Sequence, residues 1–490
     1  MRQFNYKKSL FLFFIITLFL MSCSDFRSDC KKTNVQPKIY PDYIGVTIPY
    51  NIAPLNFCLK EKIKEGKAIF SCQDESFEVD AQEGSFTIPE RKWKSLLLKS
   101  IGKKVLVTVY VKKEKEWMVY LPFAFQVARE PIDSYLAYRL IEPGYTLWNK
   151  MGIYQRNLEN FAQSAVYENK MTDGNCVNCH SFCKQNPEKM LFHLRATYPC
   201  TILMDGDKIV KLNTKTEQTI SPLVYPSWHP SAKYIAFSVN KTTQDFHPRQ
   251  RVEVYDTKSD VVVYDIAKQE IVTCPSLFSE NAFESFPTFS PDGKTLYFCT
   301  AAAKPMPENR DVLKYSLCSI SFDPEKRSFG QKVDTLYSAA KNGKSVAFPR
   351  VSPDGHFLIF TISDFGTFPI WHDEADLAMV DLRTGQTINM KTVNSNKTDS
   401  YHSWSSNSRW IVFSSRRMDG LYTRPFFAYV AKNGVVAKPF VLPQKKNDFY
   451  TSLMKSYNIP EFITGKIDLN AYKVAKMAKK DKGTDLSFGK

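Results

Sequence analysis

Apolar and polar residues alternate in short runs along most of this chain, and a period of two is typical of β-strands with one buried face. Residues 39–130 carry several such runs at short spacing, rich in β-branched and aromatic side chains. The runs cover residues 44–48, 68–70, 77–79, 85–88, 105–111 and 117–125. We therefore predict an all-β module over 39–130.

The number of runs in this module is typical of one β architecture. About six or seven short strands within about ninety residues favour an immunoglobulin-like β-sandwich, in which two sheets share one core. No catalytic set of side chains stands out in this stretch. We expect the module to serve adhesion, spacing or packing against the next domain.

From about residue 200 onward the strand pattern repeats. Each copy has an aromatic or apolar start, a turn and then an alternating strand. The copies are residues 226–238, 286–298, 348–360 and 401–413. The second and third copies carry Ser-Pro-Asp-Gly at 290–293 and 352–355, where Pro fixes φ and Asp-Gly accepts a tight turn. The first and fourth copies lack Asp-Gly. Such an internal repeat predicts an array of similar β-units.

These copies resemble the WD-like blades of TolB and related β-propellers. The resemblance implies a mainly β chain with a TolB-like propeller of about five to six blades over 201–445. Similar blades form the lid of prolyl-oligopeptidase-type peptidases, but the Gly-x-Ser-x-Gly nucleophile motif of those enzymes is absent. A serine hydrolase is therefore not expected. Residues 446–490 are predicted to form a C-terminal extension with an amphipathic helix at 467–480.

One short motif carries recognisable chemistry, the Cys-Val-Asn-Cys-His sequence at 176–180. Cys-x-x-Cys-His is the attachment signature of a c-type haem, because two thiols can form thioethers to the vinyl groups and the adjoining imidazole can bind the iron. We therefore predict one covalent haem c held by Cys176 and Cys179, with His180 as the proximal iron ligand. Residues 131–200 are the predicted haem-binding segment.

Three other interpretations of the cysteine pair are open. A redox dithiol of the thioredoxin type would lie at a helix N-terminus inside a βαβ pattern, and no such pattern is visible. A four-ligand zinc site would need a second close pair, whereas the other cysteines are scattered singly. A structural disulfide is the third alternative. The histidine that follows the pair favours the haem.

The sixth iron ligand is open between two residues that follow the motif. His193 and Met190 are the candidates, and a water-bound or open position is the third option. Arg195 could pair with a haem propionate, because a guanidinium matches a carboxylate in a bidentate fork. Trp148 or Tyr154 could supply an aromatic wall. Weaker candidates for the sixth ligand are Met151, Met171 and Met204.

The N-terminus has the pattern of an export signal. Basic residues precede an apolar run over 10–21 that is too short to span a bilayer comfortably. The run ends in Leu-Met-Ser-Cys, which resembles a bacterial lipobox. The resemblance implies a signal peptide over 1–22, a lipidated Cys23 and a tether over 23–38. We therefore expect a lipid anchor in the bacterial cell envelope, at the outer membrane, facing the periplasm or the cell surface.

The formal net charge of +16 bears on the partners. A basic surface favours anionic partners, such as an acidic redox protein, unless it is only a soluble lysine-rich surface. No nucleic-acid motif accompanies the charge, so nucleic acid is not an expected partner. Because an exported chain can form disulfides, Cys58 and Cys72 are the pair we expect to be linked.

Together these features predict an envelope lipoprotein with one covalent haem that acts in electron transfer or redox sensing, while its propeller docks a partner. The alternative is a propeller scaffold that binds protein or glycan and has a structural haem or cysteine pair. Peroxidase activity at an open haem position is a further option, although no distal catalytic pair is visible. An enzyme is therefore not the first expectation.

Overall fold

The computed structural model describes residues 30–142, 150–247 and 251–489 of the 490-residue chain. The predicted signal peptide over 1–22, the lipidated Cys23 and Trp148 lie outside the described residues. The chain is mainly β, with 48% of residues in strands and 8% in helices. No helix in the described ranges is both long and apolar enough to cross a bilayer.

Two sheets and one helix form the N-terminal part. The larger sheet contains Lys31–Lys32, Thr47–Ile48, Glu65–Cys72, Glu75–Asp80, Lys104–Lys113, Glu116–Val119 and Phe123–Val127, and the smaller sheet contains Ile39–Tyr40, Phe57–Leu59 and Ser85–Phe86. Most neighbouring strands are antiparallel, but two pairings at the edges of the larger sheet are parallel. Cys58 and Cys72 lie in different sheets and are free thiols, so the expected disulfide between them is not formed.

The helix Glu90–Lys99 was not predicted, because the surrounding sequence alternates like a strand. It begins directly after Pro89 and buries Trp93, Leu96 and Leu97 on one face. This spacing is that of an amphipathic helix. The Trp93 indole N–H donates a hydrogen bond to the carbonyl oxygen of Ile52 at 2.9 Å, which ties the helix to the core of the N-terminal part.

Six further sheets follow along the chain, and we number them sheets 1 to 6. Sheet 1 contains Tyr135–Ile141, Gly152–Asn157, Gln163–Glu168 and Ser456–Ile463; sheet 2 contains Val177–Phe182, Lys189–Leu194, Cys200–Asp205, Lys208–Asn213 and Thr484–Asp485; sheet 3 contains Leu223–Trp228, Tyr234–His247, Arg251–Asp265, Glu270–Val272 and Ser487–Phe488. Sheet 4 contains Ala282–Phe289, Thr295–Ala302, Ser316–Asp323 and Ser328–Tyr337; sheet 5 contains Ser345–Val351, Phe357–Ser363, Asp376–Asp381 and Gln386–Ile388; sheet 6 contains Asp399–Trp404, Trp410–Ser415, Arg424–Tyr429 and Phe440–Val441.

The six sheets are arranged in a propeller-like ring. The first strand of each of sheets 2 to 5 contacts the first strand of the next sheet. Strand Ser456–Ile463 pairs with Tyr135–Ile141 in sheet 1 and contacts the first strands of sheets 2 and 6. A strand from the end of the chain therefore completes the sheet that the earlier chain begins, which closes the ring.

Two predicted boundaries do not coincide with boundaries between sheets. Residues 131–200, predicted as a separate haem-binding segment, supply three strands of sheet 1 and the first two of sheet 2. Residues 446–490, predicted as an extension, supply the closing strand and one short parallel edge strand each to sheets 2 and 3. The repeat was not visible in these stretches because both lack the Ser-Pro-Asp-Gly turn.

Helices in this part are few and short. The α-helices are Ala339–Asn342, Phe449–Ser452 and Ala471–Lys480, and the 3₁₀ turns are Asn169–Thr172, Cys183–Gln185 and Pro369–Trp371. The helix Ala471–Lys480 buries Val474, Ala475 and Ala478 in the core between sheets 1 and 2. The opposite face of this helix is lysine-rich. The helix therefore packs on the ring of sheets and is not a separate element.

Candidate functional site

The innermost strand of each sheet carries the same irregularity. One residue in each strand has a left-handed backbone, with φ between 44° and 54°, and the register of strand pairing shifts at that point. The six residues, which we call the bulge residues, are Cys179, Tyr225, Phe286, Phe348, Tyr401 and Ile459. A β-bulge re-aims the side chains beside it, so positions near the bulge point to equivalent places in all six sheets.

The haem motif is part of this repeat. Cys-His-Ser-Phe at 179–182 occupies the place of Tyr-His-Ser-Trp at 401–404 and of Tyr-Pro-Ser-Trp at 225–228. Residue 180 is therefore the counterpart of His402, one position after the bulge. This internal likeness is a sequence signal for sheet 2.

His180 lies between sheets 1 and 2 and is only 2% exposed. Burial, together with the nearby charge of Arg139, lowers the pKa of His180 to about 3, so the ring is neutral at pH 7. The backbone of Ile459 in sheet 1 offsets a small part of this shift. Among the described residues, neither ring nitrogen makes a hydrogen bond of ordinary geometry.

His402 shows what this position does in the repeat. Its Nε2 lies 3.1 Å from the carbonyl oxygen of Ile359 in the neighbouring sheet 5, and the ring is buried. Burial, with the charge of Arg350, lowers the pKa of His402 to about 3. Both histidines therefore pack a neutral ring against the preceding sheet. The predicted role of His180 as proximal iron ligand stays a prediction.

Both cysteines of the motif are buried free thiols. The backbone N–H of Arg195 donates to the carbonyl oxygen of Cys176 at 3.0 Å. Burial raises the pKa of Cys176, and the charges of Arg139 and Arg195 reduce the shift. Cys179 in turn interacts electrostatically with Arg195. The two thiols therefore lie close to guanidinium groups. No cluster of three or more His, Cys, Asp or Glu side chains in the described ranges could hold a metal ion on its own.

A cavity of about 610 Å³ lies between sheets 2 and 3, and we call it the His193 cavity. Its wall includes His193, Arg195, Asn240 and Leu223. The Nδ1 of His193 is 2.7 Å from the hydroxyl oxygen of Thr201, whereas Nε2 has no hydrogen-bond partner among the described residues. Burial, with the charge of Arg195, lowers the pKa of His193 to about 3. A neutral imidazole with a free nitrogen is the form that binds metals.

Sheet 2 directs its two histidines to opposite sides. His193 packs against Phe237 of sheet 3, with ring centroids 6.1 Å apart, whereas His180 lies against Ile459 of sheet 1. The two imidazoles therefore lie on opposite sides of sheet 2. Met190, the other predicted sixth ligand, is fully buried in the core between sheets 1 and 2.

The remaining predicted residues lie away from the His193 cavity. Tyr154 is in sheet 1, where its hydroxyl donates to a carboxylate oxygen of Glu168 at 2.9 Å. The sulfur of Met151 accepts a hydrogen bond from the Val177 backbone at 3.4 Å. Two further methionines pack with the core between sheets 1 and 2, namely Met171 and Met204. None of these side chains lines the His193 cavity.

A c-type haem fits part of this arrangement. The His193 cavity offers a free imidazole nitrogen for iron and, in Arg195, a cation for a propionate. Its volume lies in the range of about 300–1,000 Å³ typical of cofactor sites. Neither Cys176 nor Cys179 lines the cavity, but the charge of Arg195 acts on both. The cysteines, His193 and Arg195 are therefore brought together, and His180 is not.

A second cavity, of about 390 Å³, lies on the axis of the ring, and we call it the axial cavity. Each innermost strand contributes the residue two places after its bulge residue, namely Ser181, Ser227, Thr288, Arg350, Ser403 and Glu461. The next residue in each strand also lines the cavity, namely Phe182, Trp228, Phe289, Val351, Trp404 and Phe462. Because all six sheets supply the same two positions, the repeat itself builds this cavity.

Aromatic bulge residues fill the centre of the ring next to the axial cavity. Tyr225, Phe286, Phe348 and Tyr401 contact one another in sequence, with centroid separations of 4.8, 4.2 and 4.8 Å. Phe368 packs against three of these rings. Such edge-to-face contacts make a well-packed floor, so the axis is not an open channel at this level.

Two opposite charges face the axial cavity without pairing. Arg350 and Glu461 are both half-buried, and no direct ion pair joins them. Burial raises the pKa of Glu461 to about 7, although attraction to Arg350 offsets part of the rise. One Arg350 nitrogen donates to the carbonyl oxygen of Pro349 at 3.2 Å. Lys184 is the remaining charged residue on the wall.

A buried ion pair that no sequence motif indicates links sheet 3 to the segment after Pro369–Trp371. The His372 ring is 0% exposed, with Nε2 2.8 Å from Glu253 and Nδ1 3.2 Å from Glu374. Burial opposes the charged ring, but the two carboxylates outweigh it and raise the pKa of His372 to about 9. His372 is therefore charged at pH 7. It links two distant parts of the propeller-like ring of sheets, namely sheet 3 and the segment after Pro369–Trp371.

Comparison with known proteins establishes no family. No protein-family model matches the chain, and no curated protein matches it. The solved structures that are similar include oligogalacturonate lyase in complex with manganese (12% identity, 61% of this chain and 71% of that chain, TM-score 0.35). Others are apocarotenoid oxygenase from Synechocystis (9%, 85% and 96%, 0.36) and a DUF4784 family protein from Bacteroides caccae (8%, 75% and 97%, 0.32). Likeness at this level carries no argument about function.

Proposed function

We propose that the chain is a lipid-anchored envelope protein that binds one c-type haem through Cys176 and Cys179 and uses it in electron transfer or redox sensing. His193, rather than His180, offers its imidazole to the iron, and Arg195 pairs with a propionate. A six-bladed, TolB-like propeller carries the site and docks the redox partner. An immunoglobulin-like sandwich precedes the propeller and spaces it from the membrane.

The observation that carries the proposal is the combination of the free Nε2 of His193 and the guanidinium of Arg195 on the wall of one cavity. His180 also has unpaired ring nitrogens, but it does not line this cavity. A buried polar atom without a partner costs free energy, so native structures rarely leave one unless a ligand satisfies it. The Nε2 of His193 lies at the wall of a cavity large enough for a cofactor, and the same wall includes Arg195. The guanidinium of Arg195 also interacts with both thiols of the motif.

Each side chain has a separate task in this proposal. The thiols of Cys176 and Cys179 fix the cofactor covalently, Arg195 offsets the charge of a propionate, and Leu223 and Val224 keep water from the cavity wall. When bound, the haem supplies a one-electron couple whose potential depends on its axial ligand and burial. His180 remains a packing residue between sheets 1 and 2.

Export and the lipid anchor belong to the same proposal. The apolar run over 10–21 and Cys23 support them. They also suit the cofactor, since bacteria attach c-type haem outside the cytoplasm. Two or more acyl chains on Cys23 would hold the protein firmly at a membrane.

The test is an optical spectrum of the protein produced with haem-maturation machinery. We expect a reducible haem band that remains with the chain on a denaturing gel. Replacing both cysteines (Cys176→Ala with Cys179→Ala) should remove the covalent haem. His193→Ala should shift the haem absorption bands while the haem stays attached, because the axial imidazole is lost and the thioethers are not.

His180→Ala is the matched control, and His402→Ala is its counterpart in sheet 6. Both remove an inter-sheet imidazole, so both should lower thermal stability by similar amounts. Neither should change the haem spectrum. A spectrum that changes with His180→Ala and not with His193→Ala would contradict the ligand assignment, and a colourless wild-type protein would contradict the function.

A second function, ligand binding by a propeller scaffold, is favoured by a separate observation. The axial cavity is built by the repeat itself and has polar, charged and aromatic walls. Small-molecule sites commonly combine aromatic walls with a few placed polar groups. Binding at this cavity would not need the haem, so Cys176→Ala with Cys179→Ala should leave it unchanged.

A further inference from the structure

The six equivalent wall positions of the axial cavity differ in one respect that points to a ligand. Four of them carry small hydroxyl side chains, while the other two carry Arg350 and Glu461. A single position, Ser403 of sheet 6, separates these two in the order of the ring. The repeat therefore places one cation and one anion at the same level around the axis.

Neither charge has a close ion-pair partner. No direct ion pair joins Arg350 and Glu461, although each charge stabilises the other. One guanidinium nitrogen of Arg350 donates to the carbonyl oxygen of Pro349 at 3.2 Å, and the Phe182 backbone N–H donates to the Glu461 carboxylate. A half-buried charge without a close counterion costs free energy. A ligand that carries both an anionic and a cationic group would supply the two missing ion-pair partners.

The next level of the cavity is apolar. It consists of aromatic and aliphatic side chains, and the indole N–H groups of Trp228 and Trp404 are already used on backbone carbonyl oxygens of Ser181 and Arg350. The indoles therefore present their carbon surfaces to the cavity. An apolar group of the ligand would be favoured there.

From these three features we propose that the axial cavity binds a free amino acid with an apolar side chain, its carboxylate on Arg350 and its ammonium group on Glu461. The side chain packs against the aromatic level that includes Trp228 and Trp404. The proposal deepens the second function and is independent of the haem. It explains why the charges are held apart, since a zwitterion needs both.

The direction of the pH dependence follows from Glu461, whose carboxyl titrates near neutrality as described above. The ammonium group binds the carboxylate form, so affinity should rise as pH increases from 6 to 8. The groups that act on the Glu461 carboxyl are Arg350, which stays charged over this range, and the backbone of Phe182, which makes a hydrogen bond to it. Lys184 is the other charged residue on the cavity wall. Glu461→Gln should remove the rise.

The experiment compares three probes by isothermal titration calorimetry with the wild-type protein. The probes are L-phenylalanine, L-phenylalaninamide, which lacks the carboxylate, and 3-phenylpropionate, which lacks the ammonium group. We expect L-phenylalanine to bind at least about tenfold more tightly than either analogue, because each analogue leaves one wall charge unpaired. D-Glucose serves as a fourth probe for a saccharide site.

Two variants locate the charges. Arg350→Met should make L-phenylalanine and its amide bind equally, and Glu461→Gln should make L-phenylalanine and 3-phenylpropionate bind equally. The matched controls are Arg91→Met and Glu308→Gln. Both replace an exposed residue that does not line the axial cavity. These controls should bind like the wild type.

The proposal is overturned if L-phenylalanine binds no more tightly than both analogues, or if no heat of binding is measured. Binding of D-glucose without L-phenylalanine would also overturn it, yet would leave the second function standing for a saccharide. The wild-type probe series decides these outcomes even if a variant fails to fold.

Discussion

At the scale of single residues, the buried histidines differ in charge because their neighbours differ. His180, His193 and His402 are buried without a carboxylate, and each has a pKa of about 3. His372 is at least as deeply buried, yet Glu253 and Glu374 keep it charged. Burial alone favours the neutral ring, so the partner decides the charge.

The stability of the protein should therefore fall at alkaline pH through His372. Its folded pKa of about 9 lies above the ordinary value of 6.5, so its stabilising contribution is complete below about pH 6.5 and is lost as pH rises through 9. The loss should be about 3.5 kcal/mol at most, since one pKa unit corresponds to about 1.4 kcal/mol.

Denaturant unfolding of the wild type and His372→Gln at pH 6, 8 and 10 checks this prediction. The difference in the free energy of unfolding between the two proteins should shrink as pH rises. His356→Gln is the control, because that ring is partly exposed and lies 3.5 Å from a single carboxylate, that of Asp354. A difference for His372→Gln that is constant from pH 6 to 10 would contradict the charged pair.

The candidate site could be predicted from sequence only in part. Cys176, Cys179 and Arg195 follow from short-range spacing, and the structure brings them near His193. The assignment of His180 to the iron was based on a motif alone. The motif does not indicate the strand geometry, whose alternation and bulge place His180 toward sheet 1 and away from His193.

At the scale of elements, the closing strand Ser456–Ile463 has the largest consequence. Its Ile-Pro-Glu-Phe sequence at 459–462 fits the bulge pattern of the other innermost strands, but it lacks the following turn and was predicted to lie in an extension. Long-range pairing with Tyr135–Ile141 is not visible in local sequence. The order of the sheets around the ring could therefore be predicted from the sequence repeat. The strand pairing that closes the ring could not.

Weakening this strand should destabilise the whole ring. Tyr457 is 1% exposed and packs on Tyr138 at a centroid separation of 4.7 Å. Tyr457→Ala should lower the free energy of unfolding by about 3–5 kcal/mol, as large-to-small changes of buried aromatic residues do. Tyr472→Ala, at an 80% exposed position of the C-terminal helix, is the matched control and should change it by less than about 0.5 kcal/mol.

Thermal and denaturant unfolding of both variants measure this difference. Unfolding of Tyr457→Ala should remain a single transition for the ring, because the closing strand contacts the first and the last sheets. Equal stabilities of the two tyrosine variants would contradict the closure by Ser456–Ile463.

At the scale of the whole molecule, the layer of bulge residues separates two cavities. The axial cavity is lined by residues that follow the bulges, whereas the His193 cavity is lined in sheet 3 by residues 221–224, which precede the bulge residue Tyr225. Cys179 is itself a bulge residue. The proposed haem and the proposed amino acid would therefore lie on opposite sides of this layer of bulge residues. No residue lines both cavities.

The most direct test of the central proposal is the intact mass of the exported chain from a host with thioether-forming machinery. The account predicts a mass larger than that of the polypeptide and its lipid by one haem. The added mass should disappear in the Cys176→Ala, Cys179→Ala variant and persist in His180→Ala. A wild-type chain without the added mass would contradict haem binding by this protein.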